Sequence, residues 1–380
     1  MSSNKPDLCA KGKQIAYAAD SDGSKSRSIR DEVLQKIEDL IDTLLGNIDQ
    51  LLLAELKLVS RRDPKAARFD STTFQIVSSN VKNKNCSSVR FPGGTDIMSW
   101  RFAVLVRILD IITELVTSKQ VTTKRDLYYR DVGLFKNQLT VDRMVDDIAR
   151  TLGVQRLELG IVAAQKGLVC GTLCVSRTDD VMVVLDGDIQ LIPSFDSISN
   201  VKLMDTDFVL VIEKEAVFRG LCDLKFYNRA DIGRSVLVTG KGYPDMTTRH
   251  FLACIAKTYP LLPILGVVDS DPHGVEIFCT YKFGSRALAH ESIHLTIASM
   301  KWIGVNLLDY NEGWTELTRR DRRKAISLLK QPYMSIDVNA SLRSELQQML
   351  FLNKKAEMNI VGSSADGIAS YIARVVSTQL

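Results

Sequence analysis

Three acids stand where an all-oxygen metal site could form. Glu213 follows the apolar run FVLVI, and Asp269 and Asp271 follow LPILGVV. Extended backbone sends residues two apart to the same face, so Asp269 and Asp271 can project together while Glu213 arrives from a second strand. Hard carboxylate oxygens at strand tips, with room left for water and phosphate, suit Mg²⁺. One acid at a strand end is ordinarily a solvated turn residue or a helix cap; three converging on one edge form a stronger pattern. A second group is Lys124-Arg125-Asp126-Leu127-Tyr128-Tyr129-Arg130. On a helix Arg125 and Tyr129 share a face and can address one phosphate. A tyrosine hydroxyl, with a pKa of about 10, is a weak nucleophile at neutral pH. Neighbouring guanidinium charge favours the phenolate and offsets charge building on phosphorus. The plainer alternative makes Tyr128 and Tyr129 core-edge aromatics beside a solvated basic face.

Three further patterns could carry chemistry. The loop GKGYP (240–244) brings Lys241 to the same edge as the acids, and its glycines let backbone approach a polyanion. It lacks the Lys-Ser/Thr ending of a P-loop. DSDPHG invites comparison with a calcium loop, but a strand precedes it and the twelfth position is Thr280 instead of Glu. His290-Glu291-Ser292-Ile293-His294 is a literal H-E-x-x-H, which on a helix would bind zinc through His290 and His294 with Glu291 as general base. Glu312 offers a passable third ligand. The pattern is short, recurs by chance, and sits between the acid edge and a strand the same sheet needs, so a metalloprotease is the remote reading.

These residues need elements to hold them. Residues 1–27 are rich in Ser, Asp, Lys and Gly and read as a disordered tail. Ser28 can cap a long amphipathic helix in which Ile29, Val33, Ile37, Leu40, Ile41, Leu44, Ile48, Leu51, Leu52 and Leu56 recur at three and four, running to about Val59. It serves either as a core helix or as a docking helix for a partner. The polar stretch 60–95 reads as loop or linker. Three helices follow: one around 100–115, one carrying KRDLYYRD from a Thr122 or Thr123 cap, and one over Val141–Leu152. LELGIVAA and LVCGTLCV then read as two strands joined at QKG, and three helices plus a hairpin make a winged helix. In the second half DFVLVIE, RSVLVTG, LPILGVVDSD and KWIGVNLLD alternate with helices, the pattern of a mostly parallel sheet covered on both faces. The expected fold class is therefore α+β / α/β multidomain, a winged-helix domain (96–178), a linker (179–204) and a Rossmann-like domain with a C-terminal helical extension (205–380). Residues 28–95 supply the N-terminal helix and linker.

Composition sets outer bounds. The 380 residues carry 49 Lys+Arg against 45 Asp+Glu, a net charge of +4 that neither requires nor excludes a nucleic-acid partner. No apolar run is long enough to cross a bilayer, and the first thirty residues lack the apolar core of a secretory signal. Seven cysteines without a C-x-x-C read as thiols in a reducing interior.

Read in order, KRDLYYRDVGLF, QKGLVCG, FVLVIEKEAVF, GKGYPDMTTRHFL, LGVVDSDPHG and YKFGS resemble the topoisomerase VI A-subunit family, which includes the eukaryotic transesterase that makes meiotic DNA double-strand breaks. The resemblance is dense over about 98–310 and weaker to about 360. It implies that Tyr129 is the nucleophile with Arg125 beside it. It also implies that Glu213, Asp269 and Asp271 are the Mg²⁺-binding acids of a Toprim fold, and that Lys124, Lys241 and Arg249 meet DNA phosphates. It implies double-stranded DNA as substrate and a dimer, of two identical chains or with a paralogue, in which Tyr129 of one protomer meets the metal of the other. A B-type ATPase-like partner subunit, met through the N-terminal end, and a nuclear location follow from the same resemblance. The meiotic break-former is the favoured role and a somatic topoisomerase VI A-type chain the alternative; a DNA-binding pseudo-enzyme is disfavoured by the intact tyrosine and acids. His273 departs from an aromatic common in relatives, and residues 1–95 match none of the quoted motifs.

Overall fold

The computed structural model describes residues 23–50, 52–59, 67–78, 86–162, 165–177, 182–193, 198–285, 295–309, 312–362 and 365–379. Its first part runs α1 (Gly23–Asp49), β1 (Ala54–Val59), β2 (Ala67–Asp70), β3 (Gln75–Ser78), β4 (Cys86–Phe91), α2 (Asp96–Ser118), β5 (Thr122–Thr123), α3 (Lys124–Arg130), α4 (Val132–Phe135), α5 (Gln138–Leu152) and β6 (Ile161–Val162). Then come β7 (Leu168–Cys170), β8 (Thr172–Arg177), β9 (Met182–Asp186), β10 (Gln190–Leu191) and β11 (Ile198–Leu203). The last part is β12 (Phe208–Ile212), α6 (Glu215–Asp223), β13 (Ser235–Thr239), α7 (Met246–Thr258), β14 (Ile264–Val267), α8 (Pro272–Phe283), β15 (Lys301–Trp302), β16 (Thr315–Glu316), α9 (Arg319–Leu329), α10 (Ile336–Leu352), β17 (Lys354–Lys355) and α11 (Ala365–Ser377).

Helix starts follow side-chain chemistry. The hydroxyls of Thr95 and Thr123 and the amide oxygen of Asn137 accept backbone N–H groups at the first turns of α2, α3 and α5. Buried residues of these helices share one core with Val33 and Ile37 of α1, Leu56 and Leu58 of β1 and Val89 of β4. The six-stranded sheet has the order β10-β7-β13-β12-β14-β15, with β13, β12, β14 and β15 parallel, β7 antiparallel to β13, and β10 antiparallel to β7. Strict alternation divides its strands between two cores. Val209, Val211, Val236 and Val238 face α7 and α8, while Phe208, Leu210, Ile212 and Leu237 face α6 and α11. The fold class is the expected α+β / α/β combination with a mostly parallel central sheet.

Several local expectations are corrected. The first helix already contains Ser28 and ends at Asp49; residues 54–59 are a strand, paired with β4 from Ala54↔Phe91 to Val59↔Cys86. Leu52 and Leu56 keep helical spacing, but Ala54, Leu56 and Leu58 alternate with Glu55 and Lys57, and it is the period of two that packs. Among the described residues, the expected hairpin around QKG does not form. β6 pairs in parallel with β5 instead, and β7 joins the large sheet beside β13. The antiparallel pair packed against the helices is β1–β4, from a stretch read as helix and linker. The segment read as a linker, 179–204, contains β9, β10 and β11, and β9 and β11 flank β8 in a second sheet. The expected tail falls mostly on residues outside the described ranges.

Candidate functional site

Seven residues make the helix that carries the tyrosines. Leu127 is fully buried and fixes α3 against α5, Tyr128 is half-buried at the same core, and Tyr129 points outward with 58% of its surface exposed. The Arg125 guanidinium carbon lies 5.9 Å from the Tyr129 ring centroid, and the two tyrosine rings are 5.4 Å apart. A side-chain hydrogen bond with Tyr129 raises the Arg125 pKa above its already high ordinary value, so Arg125 is a permanent cation beside this hydroxyl. Lys124 is different. Its ammonium is held by the Asp146 carboxylate and donates to the Asp142 carbonyl at 3.2 Å, and burial lowers its pKa. It braces α3 on α5, at a position where the resemblance implied a DNA contact.

The acids lie at the carboxyl edge of the parallel strands. Glu213 follows β12 and accepts the Asp269 backbone N–H at 2.9 Å. Burial, then the facing Asp269 and Asp271 charges, push the Glu213 carboxyl up to about 8. Burial raises Asp269 as well, although it accepts the Met358 N–H at 2.7 Å and pairs with Lys214 at 3.0 Å. Asp271 caps α8, accepting the Gly274 N–H at 2.6 Å. A Cβ at Gly274 would lie 2.3 Å from the Asp269 carbonyl oxygen, so only glycine permits this approach. The structure therefore brings Glu213 and Asp269 side by side, with the Asp271 charge close to both while one of its oxygens caps α8. Among the described residues, no three His, Cys, Asp or Glu side chains form a closed metal cage. Two adjacent carboxylates that resist joint ionisation nevertheless fit a hard divalent cation, and Mg²⁺ commonly takes one or two protein carboxylates and leaves the rest of its shell to water and phosphate.

The basic residues lie beside this edge and within it. Lys241, at a left-handed φ of 53°, pairs with Glu215 at 3.1 Å near the acids. Arg249 is 2% exposed and donates from Nε to the Leu295 carbonyl at 3.0 Å. The motifs QKGLVCG and GKGYPD prove to be two sides of one contact. Asp245 accepts the backbone N–H groups of Lys166 at 2.8 Å and Gly167 at 3.2 Å, and a Cβ at Gly167 would lie 1.9 Å from the Thr248 hydroxyl oxygen. Tyr243 donates to Glu276, which also holds Lys324, and lies 3.4 Å from His273. Lys214 and Glu357, joined at 2.9 Å, were not singled out from sequence. Lys214 is adjacent to an acid at a strand end, a usable local signal, whereas Glu357 carries none. His290, Glu291 and His294 lie outside the described residues.

No hydrogen bond or ion pair among the described residues links α3 to Glu213, Asp269 or Asp271, and the two groups rest on different cores. Residues 208–374 match a family model for the Toprim domain of topoisomerase 6 A subunits and Spo11, and residues 100–161 match one described as type IIB DNA topoisomerase. Human meiotic recombination protein SPO11 is 31% identical over 341 residues, 85% of this chain and 84% of its own. Meiotic recombination protein rec12 of Schizosaccharomyces pombe is 36% identical over 68% of this chain and 73% of its own. The A subunit of DNA topoisomerase 6 from Arabidopsis thaliana is 33% identical over 68% of this chain and 61% of its own. The chain belongs to the family of topoisomerase VI A subunits and Spo11, and its parallel-sheet domain is a Toprim domain.

Proposed function

We propose that this protein cuts double-stranded DNA by tyrosine transesterification and so starts meiotic recombination. The Tyr129 oxygen attacks a backbone phosphorus, losing its proton. The bond from phosphorus to the 3′ oxygen breaks, that oxygen leaves as a hydroxyl, and a 5′-phosphotyrosyl ester remains on the protein. The ester conserves the bond energy, so cleavage itself needs no external energy source. The observation that carries this reading is an exposed Tyr129 with a permanent guanidinium at its side. Glu213 and Asp269 would hold Mg²⁺, which orients the scissile phosphate and offsets its charge. That tyrosine and acids rest on separate cores supports a composite site shared by two protomers, identical chains or paralogues, each lending its tyrosine to the other's acids.

Ile41, Leu45 and Ile48 leave an apolar stripe of α1 exposed at 38%, 50% and 47%, which suits a B-type ATPase-like subunit docking at this end. A protein acting on chromosomal DNA in meiosis works in the nucleus. The Arabidopsis relative favours a second reading, a somatic topoisomerase VI A-type chain that rejoins what it cuts. The test is to trap protein on DNA: Tyr129→Phe should abolish the covalent adduct while leaving DNA binding within about threefold, since one oxygen is removed. Tyr128→Phe should retain the adduct. An adduct that survives Tyr129→Phe and vanishes in Tyr128→Phe moves the nucleophile by one residue.

A further inference from the structure

Ser270 sits between Asp269 and Asp271, and what surrounds it comes from the far end of the chain. It is 1% exposed, and its carbonyl accepts the Ala356 N–H at 2.9 Å. Its hydroxyl donates at 2.5 Å to Oε1 of Glu345, a residue of α10 that is 3% exposed. The same oxygen accepts the Leu307 backbone N–H at 2.8 Å. Leu307 ends a segment that runs beside the acid loop, with Val268 N–H on the Gly304 carbonyl at 3.0 Å and Val305 N–H on the Val268 carbonyl at 2.9 Å. A buried carboxylate ordinarily has a cationic partner, yet among the described residues no Lys or Arg forms an ion pair with Glu345. What it does instead is gather two donors, one from the acid loop and one from that loop's neighbour, onto a single atom.

We propose that Glu345 is a positioning residue for the acid pair, tying the Asp269–Asp271 loop to α10 so that Glu213 and Asp269 keep the separation at which they receive a divalent cation. The inference rests on the metal-binding reading above. It concerns an acceptor atom and not a charge, because both donors use Oε1. Glutamine offers the same oxygen; alanine offers none.

The test is Mn²⁺ binding by the full chain without DNA, read from the free-ion electron paramagnetic resonance signal. Removing groups that orient metal ligands typically weakens affinity by about 10–100-fold. Glu345→Ala should fall in that range, Ser270→Ala should shift affinity in the same direction by about threefold to tenfold, and Glu345→Gln should restore affinity to within about threefold of wild type. If Glu345→Ala does not fold, Ser270→Ala and Glu345→Gln decide. The inference is overturned if Glu213→Gln loses Mn²⁺ while Glu345→Ala and Ser270→Ala bind like wild type, or if Glu345→Gln weakens binding as much as Glu345→Ala. A wild-type chain that does not bind Mn²⁺, or a Glu213→Gln variant that binds it equally well, defeats the metal reading itself and this inference with it.

Discussion

As a metal ligand Glu213 would have to ionise where burial and two neighbouring carboxylates oppose it. An unfolded glutamate titrates near 4.5, whereas the folded one is pushed up to about 8. Folding therefore favours the protonated form. The stability this contributes is complete below about pH 4.5 and is lost as pH rises through about 8. A divalent cation binds the ionised form and opposes that loss. In the absence of cation, Glu213→Gln should raise Tm relative to wild type at about pH 8 to 9, and the two should converge near about pH 5. Mg²⁺ should then raise the wild-type Tm and leave that of the variant in place. Parallel melting curves across this pH range would mean that Glu213 ionises without opposition. The acids were legible in sequence because strand-end acids two apart are a local pattern. Their partners were not. Glu345 and Met358 reach the acid loop across 75 and 89 positions of chain, and Glu357 reaches Lys214 across 143. Arg249 likewise gives no local hint that it is buried.

α3 shows how little secondary structure is needed to aim a tyrosine. Seven residues cannot hold a helix in water by themselves, so its stability comes from a cap and a tertiary anchor. Thr123 caps it, and Leu127 buries its whole side chain against α5. Leu127→Ala should cost about 2–4 kcal/mol in urea unfolding, and Thr123→Ala about 1 kcal/mol. An equally small effect at both positions would mean that α3 is held by something other than this anchor. The cap and the i, i+4 relation of Arg125 and Tyr129 were readable because both are local. The hairpin expectation failed for the opposite reason. LELGIVAA and LVCGTLCV each have strand character, but nothing in either run says that β6 will pair with β5 or β7 with β13. Likewise LLLAELKLV satisfies a helical period and a strand period at once, and only the partner β4 decides between them.

At the scale of the whole molecule, the proposed exchange would give each chain halves of two different sites, a tyrosine on one core and acids on two others. Mixing variants tests whether the halves are exchanged between protomers. Consider Tyr129→Phe chains, with intact acids, combined with Asp269→Asn chains, with an intact tyrosine. In a mixed dimer with exchange, one composite site has lost both groups, while the other joins a working tyrosine to working acids. It should nick one strand and leave the adduct on the Asp269→Asn chain alone. Each variant by itself should be inactive; each mixed dimer should make about half the wild-type number of single-strand cuts, and because random pairing makes about half of all dimers mixed, the mixture should reach about a quarter of wild-type nicking with almost no double-strand breaks. If each site is built within one chain, neither partner can complete the other and the mixture stays as inactive as its components. Tagging the two chains to different sizes and identifying which carries DNA after denaturation separates these outcomes.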